Sequence, residues 1–142
     1  MMLTRKCSQL IAACAVAVPL FVSTPVSAEE LDGSKDIVCA VLHVVACIKD
    51  GDCLEGQAKT FDLPALMIVD AENSVLRGTY ESGHKAVSPI KNKELMSEQL
   101  VLQGVENGRG WTAVINTKTG NMNGSGVGDD VSFLVHGTCT AL

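Results

Sequence analysis

Hydrophobic and polar positions follow two different patterns in the two halves of this chain. From residue 100 onward apolar and polar side chains alternate, which predicts four strands over 100–105, 111–116, 121–127 and 131–138. Asn107-Gly108 is a strong two-residue hairpin signal, Lys118-Thr119-Gly120 suits a three-residue hairpin with a left-handed glycine, and Gly128-Asp129-Asp130 supplies the third turn. Together these make an antiparallel meander. Trp111, Ala113 and Ile115 share one face, as do Val131, Phe133 and Val135. Thr112, Asn116, Ser132, His136 and Thr138 lie opposite, with Val114 and Leu134 among them, so one face is expected on a core and the other largely in water. Gly124, Gly126 and Gly128 thin the third strand and permit close approach, sharp curvature or a bulge.

The first half reads differently. Residues 37–48 are apolar nearly all round, interrupted only by His43. Asp32 or Ser34 can cap a helix there, with Lys35 and Asp36 in its first turn and Asp50-Gly51 after its end. A helix apolar on most faces is normally buried. The richness in valine makes a strand the competing reading, but length and cap favour a helix over 34–48. Residues 66–69 and 75–80 read as strands flanking a turn at 70–73. Residues 83–92, holding Ser88-Pro89, read as an irregular edge strand, and 95–99 is ambiguous between helical turn and strand. The expected fold class is therefore α+β: an N-terminal buried helix packed on a curved antiparallel β-meander.

Before this domain, residues 1–28 have the three-part pattern of a secretory signal peptide. Arg5 and Lys6 precede the apolar run 10–22, and Val26-Ser27-Ala28 is a small-residue cleavage site. The alternative of lipid attachment at Cys14 would follow too short an apolar core, and the run falls short of the roughly 20 residues that span a bilayer. Cleavage leaves residues 29–142 as a single domain, with no membrane segment after processing. Of 6 cysteines, Cys7 and Cys14 leave with the leader. Cys39, Cys47, Cys53 and Cys139 remain in an oxidising compartment, periplasmic or secreted. On the expected helix Cys39 and Cys47 stand about 12 Å apart, too far to bridge. Cys47–Cys53 across a turn with Cys39–Cys139 is favoured, and the crossed pairing Cys39–Cys53 with Cys47–Cys139 stays open. A bridge from Cys39 to Cys139 closes a loop worth about 4–5 kcal/mol on the chain-entropy account, and the short one roughly 2–3 kcal/mol. The spacing contains no CxxC pair, so neither zinc nor thioredoxin-type chemistry is indicated. With 11 Lys and Arg against 16 Asp and Glu, the chain is acidic and lacks a basic cluster, which argues against nucleic acid as a partner.

Several blocks taken together carry a resemblance. Cys39, Cys47 and Cys53 near the start are followed by Leu63-Pro64, then Gly104-Val105-Glu106-Asn107-Gly108-Arg109-Gly110-Trp111, Thr119-Gly120 and a closing Gly137-Thr138-Cys139. This order resembles a group of small exported Gram-negative bacterial proteins of unknown function, over most of the mature chain. The resemblance implies a periplasmic or secreted protein and carries over no catalytic residue.

Candidate chemistry is sparse. His43 sits in the apolar run, where a hydrogen-bonded core or rim histidine competes with a ligand role; His84 follows Ser82-Gly83 in a loop; His136 lies on the wetted face of the last strand. His43 and His136 would form half a metal site if the Cys39–Cys139 bridge brought them together, but a full metal ligand set is not expected. Ser82 with His84 lacks a nucleophile elbow, Asp129-Asp130 reads as a solvated turn, and Asp50-Gly51-Asp52 with Glu55 lacks the spacing of a calcium loop. No catalytic residue and no cofactor motif is assigned. Arg109, Trp111 and His136 are the candidate binding residues, with core filling the competing role for Trp111. The reading is a non-enzymatic binding domain for a protein partner or small apolar ligand. An inhibitor of an exported hydrolase, acting through a loop at 80–85 or 106–110, and a small enzyme using His136 are the alternatives.

Overall fold

The computed structural model describes residues 31–142; the expected signal peptide, its cleavage site, Cys7 and Cys14 lie outside the described residues. The described residues form nine antiparallel strands: β1 (Ile37–Ile48), β2 (Cys53–Gly56), β3 (Leu66–Asp70), β4 (Val75–Thr79), β5 (Lys85–Met96), β6 (Gln99–Glu106), β7 (Arg109–Asn116), β8 (Asn121–Val127) and β9 (Val131–Ala141). The only helical element among them is a 3-10 turn at Ala58–Phe61. One edge of β1 pairs with β9 along its whole length. The other pairs with β3 at Ile37–Ala40 and with β2 at Val44–Cys47. The sheet therefore closes on itself as an eight-stranded barrel, β1 and β3 to β9, with β2 extending the wall beside the second half of β1.

This corrects the α+β expectation. Residues 37–48, expected within a buried helix over 34–48, are the stave that closes the barrel. The reason is a β-bulge at Leu42. Ile37, Cys39 and Val41 face inward, the register slips between Val41 and His43, and Val44 and Ala46 face inward after it. A parity switch mid-strand erases period two and leaves an apparently continuous apolar run. Ile37, Val38, Val41, Val44 and Val45 are β-branched and suit such a strand. A second correction concerns 83–92. That region belongs to β5, which is no edge strand: β4 pairs on one side and β6 on the other, with a further bulge at Lys91. Residues 95–99, left ambiguous, are the end of β5, a turn through Ser97 (φ 54°) and the first residue of β6.

The other turns follow their residues. Asn107 and Gly108 both adopt positive φ (49° and 75°), as a two-residue hairpin with right-handed twist requires. Asn116 Oδ1 accepts from the backbone N–H of Lys118 and Thr119 and holds the β7–β8 turn. In the β3–β4 turn Asp70 accepts from the Asn73 backbone and side chain and pairs with Arg77 at 3.1 Å, which together keep its carboxyl below the usual range.

Inside, the barrel has two unlike ends. One is solid, packed by Ile37, Val69, Leu100, Leu102, Ile115 and Met122. Leu31 joins this cluster from a strap that crosses the mouth, tied by Lys93 Nζ to the Gly33 carbonyl (3.1 Å) and by Asp36 Oδ1 to the Ala71 N–H (2.9 Å). Both disulfides join residues directly opposite in register. Cys39–Cys139 bridges β1 and β9 on the inner wall, with both cysteines buried, and Cys47–Cys53 bridges β1 and β2 on the outside. Of the two pairings left open by the sequence, the crossed one is excluded. Disulfides of this kind point to an oxidising, extracellular-type environment. No helix among the described residues is long and apolar enough to cross a membrane.

Candidate functional site

The opposite end of the barrel is hollow. Eight strands enclose an interior that side chains either fill or leave just wide enough for one small ligand. Here the inward positions of several staves are glycine, and their neighbours decide which outcome holds. At Gly104 the missing side chain is replaced by the Trp111 indole, and at Gly78 by the Pro64 ring. At Gly126 nothing stands within 4 Å of where a Cβ would lie. The result is a cavity of about 150 Å³, walled chiefly by Met67, Leu76, Trp111, Met122, Phe133 and Val135 with Gly124 and Gly126 as its floor.

Trp111 is fixed in this wall. Its indole Nε1–H donates to Ser88 Oγ at 2.7 Å, and Ser88 is buried, so the only polar atom of the ring is engaged and its face is left for the cavity. The same strand carries Arg109 two residues earlier, hence on the same inward side but at the rim. Its guanidinium carbon lies 5.8 Å from the centroid of the Phe133 ring, a cation–π arrangement. Phe61, from the 3-10 turn, meets Phe133 edge-on at 6.4 Å.

Tyr80, Glu106, Arg109, Asp62, Ser82 and Lys85 ring the opening. Tyr80 donates its hydroxyl to Glu106 Oε1 at 3.1 Å. Burial, then the negative charge of Glu106, holds the phenol above its ordinary pKa. Asp62 accepts from the Ser82 backbone N–H (3.0 Å) and hydroxyl (3.2 Å), while His84 Nδ1 lies 3.3 Å from the same hydroxyl. In a nucleophile–base–acid relay histidine stands between serine and carboxylate. Here serine stands between the other two and donates to Asp62, so the three groups are not in the order of that relay. The side chains of Arg109 and Lys85 make no hydrogen bond or ion pair among the described residues.

Of the sequence candidates, Arg109 and Trp111 thus stand together at the cavity. His136 does not. It lies on the outer wall, its Nδ1 2.6 Å from Asn123 Oδ1, directly opposite His43 with ring centroids 6.3 Å apart. The two histidines do come together, with Glu55 3.4 Å from His43 Nε2, yet no group of three or more metal-ligating side chains with suitable geometry exists among the described residues. Sequence reading placed Tyr80 only within a candidate inhibitory loop at 80–85, and missed Phe133 as a site residue and the role of Gly126. Period two already put Phe133 on the packed face, but nothing in the sequence says that this face encloses a void. No protein-family model matches the chain, and no curated protein matches it either.

Proposed function

We propose that this is a non-enzymatic exported protein, periplasmic or secreted, that binds one small, predominantly apolar ligand inside its barrel. The observation that carries the reading is the void over Gly126, walled by the fixed Trp111 indole. An apolar cavity of about 150 Å³ is the size that admits benzene in other proteins. The outer wall supports a barrel surrounded by water. Asn92 donates to Gln103 (3.1 Å) and Gln103 to Thr112 (3.3 Å), forming a polar row across β5, β6 and β7 where a lipid-facing barrel would carry an apolar band.

Gly126→Leu tests this reading directly. The position has room for a side chain and needs no positive φ, so the leucine should fill the floor of the cavity without straining the strand. Toluene titrated into the full chain is expected to change the fluorescence of Trp111, the single tryptophan, saturably. In the Gly126→Leu protein the change should vanish while the melting temperature holds or rises. Unaltered toluene binding by that variant would remove the cavity as the site.

A further inference from the structure

Hydrogen-bond accounting at the rim says which end of a ligand faces outward. Both nearby carboxylates are engaged: Glu106 accepts the Tyr80 hydroxyl, and Asp62 accepts twice from Ser82. The two cations there are not: the Arg109 guanidinium lies over the face of Phe133 with its stem beside Gly128, and neither its side chain nor that of Lys85 makes a hydrogen bond or ion pair among the described residues. The opening therefore presents two cations beside two carboxylates that keep their charge, and Arg109 is the group there whose hydrogen-bonding fork is unused. A guanidinium with its planar fork free is matched to a carboxylate, which it can hold by two parallel hydrogen bonds.

Resting on the apolar-ligand reading above, we infer that the barrel takes a small monocarboxylate. Its body is one aromatic ring or a short branched chain lying against Trp111 over Gly126, and its carboxylate reaches out to Arg109. Lys85 adds long-range attraction at the entrance. A neutral ligand of the same shape fills the void but leaves the guanidinium in water. A cationic one meets Arg109 as a like charge.

Three isosteric probes separate these cases: phenylacetate, 2-phenylethanol and 2-phenylethylamine, each titrated by calorimetry into the full chain. Phenylacetate is expected to bind at least about tenfold tighter than 2-phenylethanol, the effect of one charge-assisted hydrogen-bonded contact at a partly exposed site, and 2-phenylethylamine weakest of all. Arg109→Met, which keeps the apolar stem beside Gly128, should remove the preference for phenylacetate over 2-phenylethanol. Should that variant melt early, added salt on the unaltered protein serves instead, and must weaken phenylacetate while sparing 2-phenylethanol. Equal affinity for acid and alcohol, or a preference surviving Arg109→Met, overturns the carboxylate inference while leaving the apolar site standing. Failure of all three probes, with toluene also silent, overturns both.

Discussion

Tyr80 is the single tyrosine of the chain, so its ionisation can be followed without interference. In the folded protein burial opposes the phenolate first, and the neighbouring Glu106 charge opposes it further. The folded pKa is thus raised above the unfolded value of about 10. Below that pH the phenol is neutral in both states and contributes no pH dependence. As pH rises through about 10 the unfolded chain gives up the proton while the folded barrel keeps it, so stability falls until the folded pKa is passed. A phenolate absorbance titration should give a midpoint above 10, and Glu106→Gln should move it part of the way back, since burial is the larger cause. A midpoint at or below 10 in the folded protein would show that Tyr80 is not held against Glu106. The same contact matters to the site, because it holds the Glu106 carboxylate on Tyr80 rather than on the guanidinium of Arg109, its partner across the β6–β7 hairpin.

At the scale of the element, the bulge at Leu42 decides what β1 is. Its side chain is exposed, so Leu42→Ala should change stability by less than about 1 kcal/mol. Deleting Leu42 takes out the one unmatched residue: His43 then follows Val41 directly, each keeps its partner on β9, and Val44 stays inside with Cys47 opposite Cys53. Deleting Ala40, a matched residue, is a different matter. With the seam held from Val41 onward, that deletion moves Cys39 opposite Thr138 and turns it outward, so the inner bridge cannot form in register. Urea unfolding should show a small loss for the Leu42 deletion and one of about 2–5 kcal/mol for the Ala40 deletion. Equal effects of the two deletions would mean that Leu42 is not the inserted residue. The same residue explains why the sequence misled. The strands beyond residue 100 alternate without interruption and their hairpin residues were legible, from Asn107-Gly108 to Gly120. In β1 one inserted residue scrambles the faces, and Asp32 and Ser34, whose local hydrogen bond (2.8 Å) resembles a helix cap, belong instead to the strap across the barrel mouth. At the site, Arg109 and Trp111 could be read as neighbours on one face because they sit two apart. Tyr80, Gly126 and Phe133 join them only when the sheet closes, and closure leaves no mark on any single segment.

At the scale of the whole molecule, the barrel is shut by the seam between its first and last strands, Ile37 against Ala141 through Ile48 against Val131. Those strands are far apart in sequence, and holding them together costs loop entropy that local turns cannot offset. The two disulfides bear on this cost unequally. Cys39–Cys139 spans 100 residues and crosses the seam, whereas Cys47–Cys53 spans 6 and only fastens β2 to the wall. On the chain-entropy account the long bridge is worth about 4–5 kcal/mol and the short one about 2 kcal/mol. Replacing both cysteines of each bridge by alanine should therefore lower the free energy of urea unfolding about twice as much for the seam as for the outer bridge. Accessibility orders their chemistry too, since Cys53 is exposed while Cys39 and Cys139 are buried. Under mild reduction followed by thiol labelling and mass analysis, Cys47 and Cys53 should label first. Ligand-induced quenching of Trp111 should persist at that stage and disappear only when the inner bridge opens. Equal losses from the two alanine pairs, or binding lost with the outer bridge alone, would locate the integrity of the cavity elsewhere than in the seam.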